Sequence, residues 1–318
     1  MSFDNIRALQ LEFVRSGSLA TAVDDRALRR SLQSGERVRL RRSVYVSSDE
    51  WRATAERGRQ IARIRAVAGT RQRAVIGYES AAILWGYPRL GAWPREVHLV
   101  SAPGSGAHSR AAVREHRVQL PAEDVTRVDG LRVTTPLRTL VDVARSCSTL
   151  AAVVMIDHAL NRDVCAPELQ ADLPELEHLA RERVRGRGQA KVRLAIGAAR
   201  VGATSPGESW SRLLMSDFGM PKPALQTRHA NPRGGFYYTD FEWPELKIIG
   251  EFDGRGKYLK PEYLGSMSPG EAVVAEKIRE DHLRAEGNNV ARWMFDDLRT
   301  PTRLRSLLTT AGVPVIRK

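Results

Sequence analysis

Cysteine is nearly missing. Only Cys147 and Cys165 occur in 318 residues, and they form no CxxC pair, which excludes a disulfide framework and a cysteine-built zinc site and fits a reducing compartment. No stretch of about 18 or more apolar residues appears. The opening Met1-Ser2-Phe3-Asp4 has neither the charged start nor the apolar run of a signal peptide. Export and membrane insertion are therefore not expected, and a cytoplasmic protein with no membrane partner is. Lysine is absent before Lys191, so arginine supplies nearly all the positive charge of the first half.

The charge itself is ample. The formal net charge is +13, in a chain with 42% hydrophobic and 27% charged residues, the mix of a soluble globular protein long enough for two or three domains. Such a surplus favours polyanionic partners. Residues 1–75 hold 16 arginines against 8 acidic residues, so over half of the surplus sits in under a quarter of the chain. Arginine suits bidentate contacts to phosphate and guanine, but a GC-rich genome also raises arginine usage. The clustering, rather than the count, carries the argument.

Within that cluster, apolar residues from Ile6 to Val14 predict a helix over 5–16, ended by Ser16-Gly17-Ser18. Asp24-Asp25 can cap a second helix over 26–34 that stops at Gly35. There Leu28 and Leu32 share one face, leaving Arg26, Arg29, Arg30 and Gln33 outward as donors to base edges or phosphates in a major groove. The following run through Arg39, Arg41, Arg42 and Tyr45 suits a hairpin lying against a phosphate backbone. Together these read as a winged helix-turn-helix over 1–70. The bland reading is a helical domain with a solvated basic face.

A mixed α/β region comes next, over 71–165. Strands at 96–100 and 112–118 flank Pro103-Gly104-Ser105-Gly106, which lacks the Gly-Lys-Ser/Thr of a phosphate loop and reads as a hairpin turn. Thr135-Pro136 caps a helix. His98, His116 and His158 are dispersed and are read as packing residues. From 166 to 195 acidic residues give way to arginines around Gly186 and Gly188, as in a linker.

The last segment, 196–318, contains Ser205-Pro206-Gly207-Glu208 and Ser268-Pro269-Gly270-Glu271, two capped helix starts whose glutamates close capping boxes. Between them lie strands at 235–243 and 246–253. A two-residue turn at Pro244-Glu245 pairs Trp243 with Leu246 and Asp240 with Ile249, which sets Glu251 on the diagonal of Asp240 and Asp253 on the same face. Three carboxylates so placed raise one another's pKa. They then favour either a hard divalent cation or neutralisation by Lys257 or Lys277.

Three stretches carry a family likeness. Residues 27–35 with 39–45 resemble the N-terminal domain of AbiEi-type antitoxins, the DNA-binding members of type IV toxin-antitoxin systems. The middle region of this chain resembles the region C-terminal to the winged helix in those antitoxins. Asp240-Phe241-Glu242-Trp243-Pro244, Gly250-Glu251-Phe252-Asp253-Gly254, residues 276–283 and Val290-Ala291-Arg292-Trp293 look like the domain related to very-short-patch-repair endonucleases of the PD-(D/E)XK superfamily. The resemblance implies a metal site in which Asp240 and Glu251 are ligands and Glu208 the helical glutamate. Where a lysine is expected, position 253 holds aspartate.

The fold class expected is thus α+β and multidomain: winged helix-turn-helix, α/β middle domain, linker, and PD-(D/E)XK nuclease-like domain. One functional reading is a Mg²⁺-dependent DNA endonuclease, with Mn²⁺ as a substitute ion. Its catalytic set is Asp240, Glu251, Asp253, Lys257, Lys277 and Glu208, with Asp240, Glu251 and Asp253 on the metal. The other is a non-catalytic autorepressor of the antitoxin type, with double-stranded DNA and a cognate toxin as partners. Both imply association with the nucleoid. An RNA scaffold ranks last, because no RNA-module aromatic pattern is present.

Overall fold

The computed structural model describes residues 13–15, 25–71, 73–106, 108–110, 112–254 and 268–316. The chain divides into two compact units, Met1–Gly197 and Ala198–Lys318. Both mix helices and sheets.

The first unit begins with β1 (Val14–Arg15), α1 (Asp25–Gln33), β2 (Arg37–Arg41) and β3 (Val44–Ser47). Most of the helix expected over 5–16 lies outside the described residues, but its end is corrected: Val14 and Arg15 pair antiparallel with Tyr45 and Val44. β-Branched Val14 completes a sheet of order β1-β3-β2. Helix α1 ends as its sequence dictates, with Gly35 in the left-handed region at φ 78°. Leu28 on α1 and Val44, Tyr45 and Val46 on β3 are buried. The β2–β3 turn places Ser43 at φ 63°. Helices α2 (Ser48–Ala53) and α3 (Glu56–Ala68) come after it.

The larger sheet of this unit has the order β6-β5-β4-β8-β7, from β4 (Val75–Ile76), β5 (Val97–Ser101), β6 (Val113–Arg117), β7 (Val125–Val128) and β8 (Leu131–Thr134). Strands β5 and β6 are parallel, Val97 opposite Val113 and Ser101 opposite Arg117, so the hairpin expected around Pro103–Gly106 is not formed. The connection over 102–112 returns the chain to the start of β5, which a tight turn could not do. Helix α4 (Tyr78–Trp85) is buried on every side, the mark of a central helix. It leaves the sheet at Gly77, where a Cβ would sit 2.4 Å from Val100 Cγ2. Helix α5 (Pro136–Ser146) starts as read, with Thr135 accepting from the Arg138 amide. Helix α6 (Thr149–Leu160) completes the layer.

The expected linker is also corrected, since α7 (Leu173–Arg183) and α8 (Gln189–Ala198) occupy most of it. Leu176, Ala180 and Val184 recur every fourth residue and are buried. Of the charges that suggested a linker, Arg181 pairs with Glu177 along the outer face and Arg183 with Asp124.

The second unit runs α9 (Pro206–Asp217), β9 (Ala224–Ala230), β10 (Phe236–Trp243), β11 (Ile248–Asp253), α10 (Pro269–Ala285), β12 (Asn289–Met294), α11 (Phe295–Arg299) and α12 (Pro301–Ala311). Its sheet order is β12-β11-β10-β9, a β9-β10-β11 antiparallel meander with β12 parallel to β11. Phe241, Trp243, Phe252, Trp293, Leu304 and Leu308 form the core. Ile249, Leu283 and Val290 form a smaller cluster that includes α10. Gly207 lets α9 approach the sheet, since a Cβ there would meet Phe252 Cε1 at 2.0 Å.

Candidate functional site

The basic module is exposed where its sequence suggested. On α1, Arg29, Arg30 and Gln33 point away from the core or lie at its edge while Leu28 faces inward, the two arginines being exposed. Arg26 lies in the same helix, but its side chain is outside the described residues. Arg39 and Arg42 on the hairpin are exposed and Arg41 is half-buried, its pKa lowered by burial and by Arg71. The donors thus fall on one helix and the adjacent hairpin, where solvent-facing guanidinium groups can meet phosphate.

In the second unit the acidic residues are brought together differently from the expectation. Pro244 opens a 3-10 turn through Leu246, and Lys247 closes it at φ 51°. Trp243 therefore pairs with Ile248 and Phe241 with Gly250. Asp240 and Glu251 follow the last of these pairs on their two strands, a register two residues away from the expected pairing of Asp240 with Ile249. Four residues rather than two lie in the turn because the proline-initiated 3-10 segment needs a left-handed residue to rejoin the sheet.

Glu208, Asp240 and Glu251 are all buried. Each is already provided with donors. Ser205 caps α9 by accepting from the Glu208 amide, and the Ser205 and Thr204 hydroxyls donate back to Glu208 Oε1 at 2.7 and 2.8 Å. The Thr204 amide donates to Oε2. Gln226, itself at φ 50°, donates at 3.4 Å to both Glu208 Oε2 and Asp240 Oδ1. The Phe252 amide donates to Asp240 Oδ2 at 2.9 Å. Arg279 donates to Glu251 Oε1 at 2.8 Å and to the Tyr238 carbonyl at 2.7 Å. Burial, and then the Asp240 charge, push the Glu208 carboxyl above the usual range and the Glu251 carboxyl to about 7, with Arg279 and Arg292 opposing the latter.

Asp253 stands apart from this group. It meets Arg292 Nη1 at 3.4 Å, and Arg292 also donates to Glu276 and Glu280 at 2.6 and 2.9 Å. Lys277 is exposed, and Lys257 lies outside the described residues. Thus the cation beside the carboxylates is Arg279, two positions past the lysine that the sequence suggested. The reason is helical: Glu276, Arg279, Glu280 and Leu283 follow the i, i+3, i+4, i+7 stripe that faces the sheet, and Lys277 falls off it. Gln226 gave no signal at all.

Among the described residues no three His, Cys, Asp or Glu side chains are arranged to hold a metal ion. The residues expected to hold Mg²⁺ or Mn²⁺ are engaged by the protein's own donors as placed. Their oxygens accept from a guanidinium, an amide side chain, hydroxyls and backbone N–H groups, and Asp253 is bound to Arg292 instead.

The middle region has a buried polar network that sequence reasoning did not find. Arg138, 1% exposed, donates through Nη1 to Asp124 at 2.6 Å and through Nε to Asp142 at 3.0 Å. Arg183 adds a second donor to Asp124 at 2.9 Å. Asp142 is pushed up to about 6 by burial, against the pull of Arg138. Two of the histidines read as dispersed meet: Val100 pairs with His116 across β5 and β6, His116 Nε2 is 3.3 Å from His98 Nδ1, and the His116 ring stacks on Tyr78 with centroids 3.5 Å apart. Burial, then His98, hold His116 down at about 3.

Comparison with known proteins matches this region to a family. Residues 61–188 match the AbiEi antitoxin C-terminal domain. The matched stretch begins within α3 and ends just past α7, and so includes the network around Arg138 and most of the segment expected as a linker. The chain is also similar to two uncharacterized proteins from two strains of Mycobacterium tuberculosis. Each is 28% identical over 209 residues, which covers 65% of this chain and 70% of the relative. Among the described residues no helix is long and apolar enough to cross a membrane.

Proposed function

We propose that this chain is a DNA-binding regulator of the antitoxin type, acting without phosphodiester hydrolysis. The observation that carries the reading is the basic set Arg29, Arg30, Arg39 and Arg42, exposed on a helix and adjoining hairpin with Gln33 beside them, joined to an AbiEi-type region. A three-stranded β1-β3-β2 sheet beside α1 supports a winged-helix arrangement, with α1 in the major groove and the hairpin against the backbone. The antitoxin likeness implies a cognate toxin as the second partner.

The order α9, β9, β10, β11, α10, β12 and the gathering of Glu208, Asp240 and Glu251 support a nuclease-like ancestry for the second unit. The arginine on Glu251 and the aspartate at 253 weigh against hydrolysis. A lysine in the superfamily's position would help stabilise charge on a scissile phosphate, whereas Asp253 supplies no positive charge and is turned to Arg292.

Two measurements test this. Duplex DNA spanning the region upstream of the coding sequence should bind in a salt-sensitive way, and Arg29→Ala with Arg30→Ala should weaken binding at least tenfold. The slope of log K against log salt should become shallower by about 0.9 for each phosphate that is no longer neutralised. Unchanged affinity and slope would overturn the DNA-binding half. Supercoiled plasmid with Mg²⁺ or Mn²⁺ should stay intact. Nicking that disappears in Asp240→Asn with Glu251→Gln would replace this reading with a metal-dependent endonuclease.

A further inference from the structure

The second unit offers a surface that neither the basic module nor the carboxylates explain. Along the β9–β10 hairpin, Tyr238 pairs with Arg228 and Phe236 with Ala230, so Arg228, Phe236 and Tyr238 share one face by strand alternation. The opposite face in this half of the hairpin is taken: His229 contacts Glu242 and Glu286, and the Tyr237 hydroxyl meets His282 of α10. The face with Phe236 and Tyr238 is open, the two rings being 53% and 54% exposed. Aromatic rings left in water are uncommon enough to ask what covers them.

Charge chooses the occupant. Residues 221–239 contain Lys222, Arg228 and Arg233 and no aspartate or glutamate. The Arg228 guanidinium lies over the Phe236 ring, 4.2 Å from its centroid, the geometry in which arginine and an aromatic ring form one flat platform. Two same-face residues on a strand are about 6.6–6.8 Å apart, close to twice the roughly 3.4 Å step of a nucleic-acid strand. Flat rings at that spacing, flanked by arginines, suit exposed bases and their phosphates. An acidic protein surface would satisfy the arginines but has no use for two rings at base spacing.

We propose that the Arg228/Phe236/Tyr238 face binds single-stranded nucleic acid by stacking unpaired bases on the two rings. It is a second nucleic-acid contact, separate from the duplex grip of the N-terminal arginines. The backbone beneath it is fixed, because Arg279 donates to the Tyr238 carbonyl. The platform is thus presented by a paired strand and not by a loop.

The test uses the full chain and a fluorescein-labelled oligo-dT of about 20 nucleotides, longer than a typical single-strand site, with anisotropy read at low salt. Phe236→Leu with Tyr238→Leu keeps an apolar side chain at both positions while removing both π-faces. It should weaken binding at least about fivefold for each ring, while duplex binding is unchanged. Phe236→Tyr and Tyr238→Phe should retain wild-type affinity. Arg29→Ala with Arg30→Ala should spare oligo-dT binding even as it lowers duplex binding, so failure of the duplex reading and failure of this one are told apart. Oligo-dT affinity that is immeasurable in the wild type, or that the leucine pair leaves unchanged, overturns the proposal. Duplex and oligo-dT affinity falling together in the leucine pair also overturns it, since the face would then serve the duplex or the fold.

Discussion

Arg138→Leu should lower the stability of the first unit by about 3–5 kcal/mol. The guanidinium is the hub of a buried cluster, donating to Asp124, Asp142 and the Gln119 carbonyl. Removing it leaves Asp142 buried with no strong donor, because Arg183 serves Asp124 and not Asp142. Leucine fills much of the volume, so the loss reports the orphaned carboxylate more than a cavity. Urea denaturation measures the effect, and hydrogen exchange of the α5 amides assigns it to this unit. The double variant Arg138→Leu with Asp142→Leu should recover a large part of the loss, since two apolar side chains often replace a buried pair at little cost. A single-variant loss under about 1 kcal/mol would show the network to be no stronger than a surface ion pair.

That network marks the limit of reading this chain from sequence. Local rules were legible: Thr135, Ser205 and Ser268 cap their helices, Gly35 ends α1, and Leu28 turns inward while Arg29 and Arg30 turn out. Each depends on neighbours within four residues. What failed depended on distant partners. The parallel pairing of β5 and β6 is set by the path of residues 102–112, for which no local signal exists. The linker reading failed because i,i+4 ion pairs on α7 look like a solvated charge run until Leu176, Ala180 and Val184 are placed on the other face.

The candidate site departs from its expected geometry by small steps. Asp240 and Glu251 were brought together, but through a four-residue turn instead of two, because Lys247 adopts the left-handed conformation that sequence propensity gives mostly to glycine or asparagine. The neutralising charge was expected from a lysine on the correct helix, and the helical stripe delivers Arg279. A compact ammonium beside Glu251 would act as a point charge without a fixed fork. The guanidinium instead binds Glu251, Glu276 and the Tyr238 carbonyl at once, and its planar fork ties helix to sheet.

Because Glu251 is held this way, its titration should be visible in the stability of the second unit. Its folded carboxyl is raised from the ordinary 4.5 to about 7, first by burial and then by Asp240. A raised pKa means that the folded state holds the proton more tightly than the unfolded chain. The stabilising contribution is therefore complete below about 4.5 and is lost as pH rises toward 7. Glu251→Gln abolishes this titration, while its amide oxygen still accepts from Arg279. From about pH 4.5 to 8 the variant should gain on the wild type by about 3 kcal/mol, seen as diverging urea midpoints with equal slopes. Glu208, also raised by burial and by Asp240, keeps a residual decline in the variant, so its curve should flatten without becoming level. Parallel curves for the two proteins would mean that Arg279 cancels the burial cost in full. The cluster would then be an ion pair at every pH, and the case that its carboxylates are held mainly by burial would fall.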